Sequence, residues 1–181
     1  MLLRKINAVI SLVITFLLLD HAIFISAWML SKGTIAKNAD FMPWILVGLV
    51  AIHAFISIDL AISAHMGIEK RKCKNYPKMN VPTIVQRISG ILIAIFTGLH
   101  VAGAAGFMHP PQFVHAVVPP LFFAMTLAHT SVSTGKALIT LGIGNAKIVK
   151  IADAVVKIIC GLTLIACVTG FYLYSFKGGA Q

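Results

Sequence analysis

Apolar residues are gathered into five long stretches along the chain, and polar or charged residues are concentrated between them. The stretches cover about residues 6–30, 43–65, 84–106, 112–134 and 152–175. Each approaches or exceeds the ~20 residues with which a helix crosses the ~30 Å hydrocarbon core of a bilayer. Because lipid offers no partners to backbone polar groups, each stretch is predicted to be a helix. The pattern predicts an all-α integral membrane bundle of five transmembrane helices.

Composition agrees with a membrane protein. Hydrophobic residues make up 59% of the 181 residues, charged residues make up 11%, and the mean hydropathy is +0.94. An average soluble domain carries about 25% charged residues. We expect a single transmembrane domain over residues 1–181. The first apolar stretch is too long for the core of a signal peptide, so we expect it to be retained as a helix.

Basic residues predict which way the bundle faces. If the helices alternate in direction, twelve of the fifteen Lys and Arg residues fall on one side of the membrane and three on the other. Cytoplasmic segments carry such an excess, so the N-terminus is expected in the cytoplasm and the C-terminus outside. The formal charge of +10 then reflects topology. We expect the basic face to meet a cytoplasmic partner or anionic groups, and we expect no nucleic acid among the partners.

The cysteines show no known redox motif. Cys73, Cys160 and Cys167 lack CxxC spacing, so neither a disulfide framework nor an iron–sulfur motif is visible. The CxxCH sequence that attaches a c-type haem is missing, and so is the GxGxxG of dinucleotide-binding domains. Any redox group held by this chain would therefore be bound by other side chains.

Histidine is unusually common, with seven copies against five acidic residues, all within the predicted helices or at their ends. Ionisable residues inside membrane spans are rare and commonly functional, although a single one can simply hydrogen-bond a neighbouring helix. Counted at ~1.5 Å per residue from the nearest basic flank, His21 and His100 lie roughly 24 and 20 Å from the inner edge. His65 and His129 lie about 8–10 Å from that edge.

Two depth-matched pairs of imidazoles on facing helices suit two six-coordinate b haems. The porphyrin supplies four nitrogens to the iron, and each histidine supplies one axial nitrogen. Bundle cores are the usual place for such ligands. The pairs His21–His100 and His65–His129 would hold two irons roughly 10–15 Å apart along the membrane normal. The remaining histidines are expected to be interfacial, hydrogen-bonding or quinone-adjacent rather than iron ligands: His53, His109 and His115.

Four helices also resemble a known family in their order and spacing. The stretch QRISGILIAIFTGLH carries Gln86 and Ser89-Gly90 before His100. It resembles the third helix of the dihaem cytochrome b membrane subunit of succinate dehydrogenases and quinol:fumarate reductases. The segments LLLDHAIFIS, AHMGIEKRK and LAHTSVSTGK look like the first, second and fourth helices of that subunit.

The resemblance implies a set of cofactors and partners. His21 and His100 would bind the distal haem iron, and His65 and His129 the proximal one. A membrane quinone, menaquinone or another, would be the substrate. A flavoprotein subunit with FAD and an iron–sulfur subunit would dock on the basic cytoplasmic face and carry out the fumarate–succinate chemistry. The implied location is the inner membrane of a bacterium, which the chain would span several times.

Charged residues near the two haem levels give further expectations. Arg87 and Lys136 are candidates to pair with haem propionates, and a solvated basic flank explains them equally well. Leu127 stands where some dihaem relatives carry a glutamate, so the chain departs from the pattern there. Asp40 is our candidate for the carboxylate that accepts a proton from quinol. The alternative for Asp40 is a helix N-cap or a solvated loop position.

The sequence therefore favours the haem-bearing membrane subunit of a quinol:fumarate reductase or succinate:quinone reductase. The chain would be the non-flavin subunit of an oxidoreductase complex. Two alternatives stay open. One is the cytochrome b subunit of another membrane dehydrogenase, such as a hydrogenase. The other is a proton- or metal-coupled transporter with a histidine relay, which would call for paired, interrupted helices, and Pro119-Pro120 is the only such break in the sequence.

Overall fold

The chain folds into five α-helices. A computed structural model describes residues 2–31, 42–65, 81–107 and 112–177, except for the side chains of residues 42, 64, 65, 104, 112–116 and 174–177. The helices are α1 (Leu2–Leu30), α2 (Met42–His65), α3 (Val81–Ala104), α4 (Gln112–Thr140) and α5 (Ala146–Lys177). The prediction of an all-α protein with five helices is confirmed.

Four of these helices are long and apolar enough to cross a membrane: Leu2–Leu30, Pro43–Ser63, Val81–Gly103 and Ala146–Leu173. The helix α4 is as long as α1 but is less apolar, and it contains Pro119 and Pro120. Among the described residues the structure thus supports four candidate spans where the sequence predicted five.

The polar side chains of α4 are largely satisfied within the helix. The hydroxyl of Ser131 donates to the carbonyl oxygen of Leu127 at 2.6 Å. Five more α4 hydroxyls bond to the carbonyl four residues earlier: Thr126, Thr130, Ser133, Thr134 and Thr140. Because these groups need no water, α4 is suited to apolar surroundings in spite of its composition.

The connection between α4 and α5 is shorter than the sequence suggested, and only residues 141–145 are non-helical. Gly142 adopts a positive φ of 93°, which glycine tolerates without steric cost. Its N–H and that of Ile143 bond back to carbonyls of the last helical turn at 3.0 Å, which ends α4 in a Schellman motif. Asn145 then caps α5 by accepting the N–H of Lys147 at 3.0 Å.

Contacts between helices fix their relative directions. The helices α1 and α5 run parallel, because Ser26 contacts Cys167 and Met29 lies next to Gly170. The helix α4 runs opposite to α5, because positions 130 and 135 of α4 meet positions 160 and 149 of α5. It follows that α4 also runs opposite to α1.

Four helices form a ring, and the fifth packs outside it. Within the described residues, α1 packs against α2 and α4, and α3 packs against α4 and, less extensively, α2. The helix α5 lies in the groove between α1 and α4. Thus α1 and α3 occupy one diagonal of the ring, and α2 and α4 occupy the other. The two backbones of a diagonal make no close contact in the described part of the chain, so inward-pointing side chains face each other across the centre.

Burial is uneven around this ring. Most of the buried residues lie on α1, α4 and α5: Ala8, Ala22, Ser26, Thr130, Thr134, Ala137, Cys160, Thr163, Cys167 and Gly170. Among the described side chains, α2 and α3 each contribute one, Leu46 and Ser89. The packed core therefore lies between α1, α4 and α5.

Basic residues gather at one end of the bundle. Seven of the eight Lys and Arg residues in the described helices share this end, which we call the basic end: Arg4, Lys5, Arg87, Lys136, Lys147, Lys150 and Lys157. The exception, Lys177, is the last residue of α5. With 32 residues, α5 is about 48 Å long and exceeds the ~30 Å hydrocarbon thickness.

Candidate functional site

His129 on α4 is held by α3 through one nitrogen of its ring. Its Nδ1 lies 3.0 Å from the carbonyl oxygen of Gln86 and 3.2 Å from the hydroxyl of Ser89. A carbonyl oxygen can only accept, so Nδ1 carries the proton and donates it. In the neutral ring Nε2 is then the proton-free nitrogen, and it makes no hydrogen bond with the described residues. His129 is therefore fixed in the tautomer that offers Nε2 as a ligand.

A Ser-Gly pair on α3 allows this close approach. A Cβ atom at Gly90 would come within 3.2 Å of Cε1 of His129, which is tighter than ordinary packing. Ser89 is only 2% exposed, and its hydroxyl donates to the carbonyl of Val85 at 2.6 Å. The ring of His129 thus lies against the α3 backbone, where a larger residue would push it away from Gln86.

The histidine that α2 brings to His129 is His53. The two ring centroids are 6.5 Å apart, and the ring planes are nearly perpendicular, at 88°. Nδ1 of His53 is buried and has no hydrogen-bond partner in the described part of the chain. Because an unsatisfied buried polar atom costs roughly 1–3 kcal/mol, a partner for this nitrogen would stabilise the bundle.

His65, which the spacing pairs with His129, is the last residue of α2, and its side chain lies outside the described residues. Twelve positions separate His65 from His53, which is about 18 Å along a helix. The pairing of His65 with His129 stays a prediction. Depth counted from basic flanks puts His53 in the outer half of the bundle, where it could compete with His21 or His100 rather than pair with His129, and no local sequence signal shows which face of α2 meets α4.

Further polar side chains line the ring near His53. The side-chain amide of Asn7 on α1 donates to the hydroxyl of Ser57 at 3.1 Å. Ser57 lies about one helical turn from His53. The Oδ1 atom of Asn7 is buried and, among the described residues, has no partner. Among the described residues, two buried polar atoms therefore lack a hydrogen bond, one on α1 and one on α2.

His100 lies further along the same stripe of α3, about three turns from Ser89. Its ring stacks on Phe122 of α4, with centroids 6.1 Å apart and planes at 28°. Phe96, one turn earlier, also contacts Phe122, with centroids 6.4 Å apart. His100 as a whole residue is nevertheless exposed in the described structure.

His21 on α1 lies level with His100. Residues 15–22 of α1 and 122–130 of α4 line a common cavity together with α5. Because α1 and α4 run in opposite directions, the Ala22 end of this segment lies nearest Phe122. His21, half-buried and adjacent to Ala22, is therefore level with Phe122 and with the ring stacked on it. From this helix register we infer that His21 lies near the level of His100, on the other helix of the α1–α3 diagonal.

The two histidine levels are separated along the bundle axis. Gly90, which touches His129, is ten residues from His100 on α3, or about 15 Å. On α4, His129 and Phe122 are seven residues apart, or about 10 Å. The His129 level lies nearer the basic end, and the His100 level lies nearer the opposite end.

Cations predicted to pair with propionates lie beside the His129 level. The Nζ atom of Lys136 donates to Oε1 of Gln86 at 2.8 Å and to the hydroxyl of Thr83 at 3.3 Å. Gln86 therefore binds His129 through its backbone and Lys136 through its side chain. Arg87 is exposed on α3. Both cations lie at the end of the ring where an anionic group bound near His129 would meet them.

Other residues singled out from the sequence are not placed by the structure. Asp40, the candidate proton acceptor, lies outside the described residues, and so does His109. His115 belongs to α4, but its side chain is also outside the described set.

Two described groups could take a metal or a metal-centred group as a further partner: the proton-free Nε2 of His129, and the buried Nδ1 of His53, which has no hydrogen-bond partner among the described residues. No family model, no curated protein and no solved structure matches this chain.

Proposed function

We propose that this chain is the haem-bearing membrane subunit of a quinol:fumarate reductase or succinate:quinone reductase. In this proposal α4 is the fifth membrane span and the basic end faces the cytoplasm. The position of α4, packed between α3 and α5, supports its inclusion as a span. The hydroxyl groups of α4 also support its inclusion as a span, because they bond to carbonyls of the same helix and need no water. The basic end would receive an iron–sulfur subunit and, beyond it, a flavoprotein.

The observation that carries the proposal is the fixed imidazole of His129. Metal-bound histidines commonly donate their second ring N–H to a backbone carbonyl, which sets the tautomer and orients the ring. The bond from Nδ1 to the Gln86 carbonyl has this form. A histidine that only joined α3 to α4 would not require a second imidazole 6.5 Å away on α2.

Two b haems, when bound, would supply one-electron transfer between a membrane quinone, menaquinone or another, and the iron–sulfur clusters of the partner. His21 and His100 would hold one iron at the level of Phe122. His129 and a histidine of α2, assigned as His65 by spacing, would hold the other. The roughly 10–15 Å between the two levels suits electron transfer along the bundle.

Two cations at the basic end would neutralise propionate groups. Lys136 uses two of its three donors on Gln86 and Thr83, and these bonds hold its ammonium group close to the His129 level. Arg87 projects from the same turn of α3. Asp40 remains our candidate for the proton acceptor in quinol oxidation.

The test is to quantify haem in the purified full-length chain. We expect two b-type haems per chain by pyridine haemochrome analysis and a b-type reduced-minus-oxidised spectrum. Membranes from cells without the gene serve as the control. Purified, folded protein without haem would overturn the proposal and favour the transporter alternative.

A second measurement separates this proposal from a cytochrome b of another dehydrogenase. Affinity-purified complex from native membranes is expected to contain a flavoprotein and an iron–sulfur subunit, and to reduce fumarate with a quinol donor. If the complex contains two haems and a hydrogenase instead, the chain is still a cytochrome b, but it is not a subunit of a fumarate reductase or succinate dehydrogenase.

A further inference from the structure

The helix α2 carries two histidines that differ in their position relative to His129. We infer that His53, rather than His65, is the α2 partner of His129 in the haem site nearer the basic end. The inference rests on the proposed function, and it decides which imidazole completes that site.

Along the bundle axis, His65 lies nearer the basic end than His129 does. Asn7, the α1 residue that contacts Ser57, is only five residues from the first residue of α1. Because His53 meets His129 while Ser57 meets Asn7, nearer the basic end, α2 runs toward that end. His65 lies eight residues beyond Ser57, or about 12 Å further in that direction. At that distance His65 reaches the rim of the bundle. His129 lies deeper, because it contacts α3 at Gln86 and Gly90, five and nine residues after the helix begins.

His53 and His65 lie on different faces of α2. Twelve residues at 100° each place His53 and His65 about 120° apart around the axis of α2. The same straight helix cannot present both side chains to α4. With the His53 ring centroid 6.5 Å from that of His129, the face of α2 that meets His129 is the one that carries His53.

His129 and His53 each have a ring nitrogen available for a further partner. Across the α2–α4 diagonal, His129 offers a proton-free Nε2 and His53 has a buried Nδ1 that lacks a partner in the described structure. Ligation to a common metal-centred group gives both rings a partner.

The experiment compares three alanine variants in the full-length chain: H53A, H65A and H129A. We expect H53A and H129A to retain one haem per chain and to lose the same low-spin ferric EPR signal. H65A is expected to retain two haems and both signals. The remaining haem, at the His21–His100 level, reports that each variant is folded.

Methionine variants test whether an alanine variant loses haem because a ligand is removed or because the surrounding structure is disturbed. H53M is expected to keep the haem with a methionine ligand and to raise its midpoint potential, because histidine–methionine ligation raises haem potentials. H65M is expected to leave both potentials unchanged. A raised potential in H65M but not in H53M would overturn the inference, whatever the alanine variants show.

The failure of this inference can be told apart from the failure of the proposed function. Two haems in the unmodified chain, with one lost from H65A and none from H53A, overturn the inference alone. Absence of haem from the unmodified, folded chain overturns both.

Discussion

Two sides of this bundle are built differently. On the packed side, formed by α1, α4 and α5, small residues bring the helices together, and Ser26 Oγ lies 2.9 Å from Cys167 Sγ. On the histidine side, formed by α2, α3 and the face of α4 that meets them, few side chains are buried. There His53 has an unpaired buried nitrogen, and His100 is exposed. Among the described residues, buried hydroxyl and thiol groups of the packed side bond to one another or to carbonyls of their own helices, whereas Nδ1 of His53 on the histidine side has no hydrogen-bond partner.

The physical basis of the packed side is the close approach of helix backbones. In a membrane, helices associate through van der Waals packing and interhelical hydrogen bonds rather than by the hydrophobic effect. A Cβ atom at Gly170 would lie 3.4 Å from both the Ser26 carbonyl oxygen and the Met29 Cβ atom, so the two helices nearly touch there. In the described residues the two diagonals of the ring, α1–α3 and α2–α4, make no such backbone contact.

Under the proposed function, the largest expected effect is the loss of one haem from the α1–α3 diagonal. His21→Ala and His100→Ala should each remove the same haem, because both imidazoles lie at the level of Phe122 on one diagonal. Haem per chain and low-temperature EPR measure the loss. Phe16→Ala, a change at a side chain that is 72% exposed on α1, is the control and should retain both haems. Loss of different haems from the two histidine variants would contradict the shared level.

A large residue at the closest contact of the packed side should destabilise the bundle. Gly170→Leu places a branched side chain against Met29 and the Ser26 carbonyl, and such overpacking costs about 1–3 kcal/mol. Thermal or denaturant unfolding in detergent measures the change. Gly161→Leu is the matched control on α5, since an added Cβ atom there meets nothing within 4 Å. Equal destabilisation by the two variants would show that the packed side is not tighter at Gly170.

A single methyl group at Gly90 should perturb the histidine side without dismantling it. Gly90→Ala brings a Cβ atom within 3.2 Å of the His129 ring and displaces it from the Gln86 carbonyl. Weakening that hydrogen bond costs about 0.5–1.5 kcal/mol. We expect lower occupancy or a shifted midpoint potential for the haem nearer the basic end. Gly98→Ala has open space around it and should leave that haem unchanged. An unaltered potential in Gly90→Ala would argue against control of the ring by Gln86.

The smallest effect is expected from one hydrogen bond of the packed side. Ser26→Ala removes the contact with Cys167, and interhelical hydrogen bonds in membranes average about 0.6 kcal/mol. Ser11→Ala is the control, because the Ser11 hydroxyl donates only to the carbonyl of Ala8 in its own helix. A double-mutant cycle with Cys167→Ala measures the coupling. A coupling energy near zero would indicate that shape complementarity alone holds α1 against α5 at this contact.

Much of the fold could be predicted from the chain. Five apolar stretches of membrane-spanning length become five helices, since a long apolar run has few other ways to satisfy its backbone in lipid. The residues at which the helices begin and end were harder to predict. Helices α4 and α5 extend beyond their apolar stretches to Thr140 and back to Ala146. The turn is set by Gly142 and Asn145, whose local chemistry does not depend on hydropathy.

The site was harder to predict, because depth was counted from basic residues. Lys136 was used as a marker of the membrane edge, yet α4 continues past it for four residues, and its ammonium group bonds to Gln86 and Thr83 on α3. Long lysine side chains can place their charge well away from their own Cα. A count of residues from a lysine is therefore a coarse measure of depth, and it could not distinguish the helix face that carries His53 from the one that carries His65.

By itself, the sequence determined an all-α, membrane-compatible chain, the gathering of basic residues in alternate connecting segments, and a set of histidines within apolar helices. Length, hydropathy and charge are local properties, and each can be read along one helix at a time. Only the tertiary structure decided that Gln86 sets the tautomer of His129, that Phe122 marks the level of His21 and His100, and that His53 is the α2 histidine next to His129. These relations depend on the rotation and sliding of one helix against another, which are settled by packing across the whole bundle.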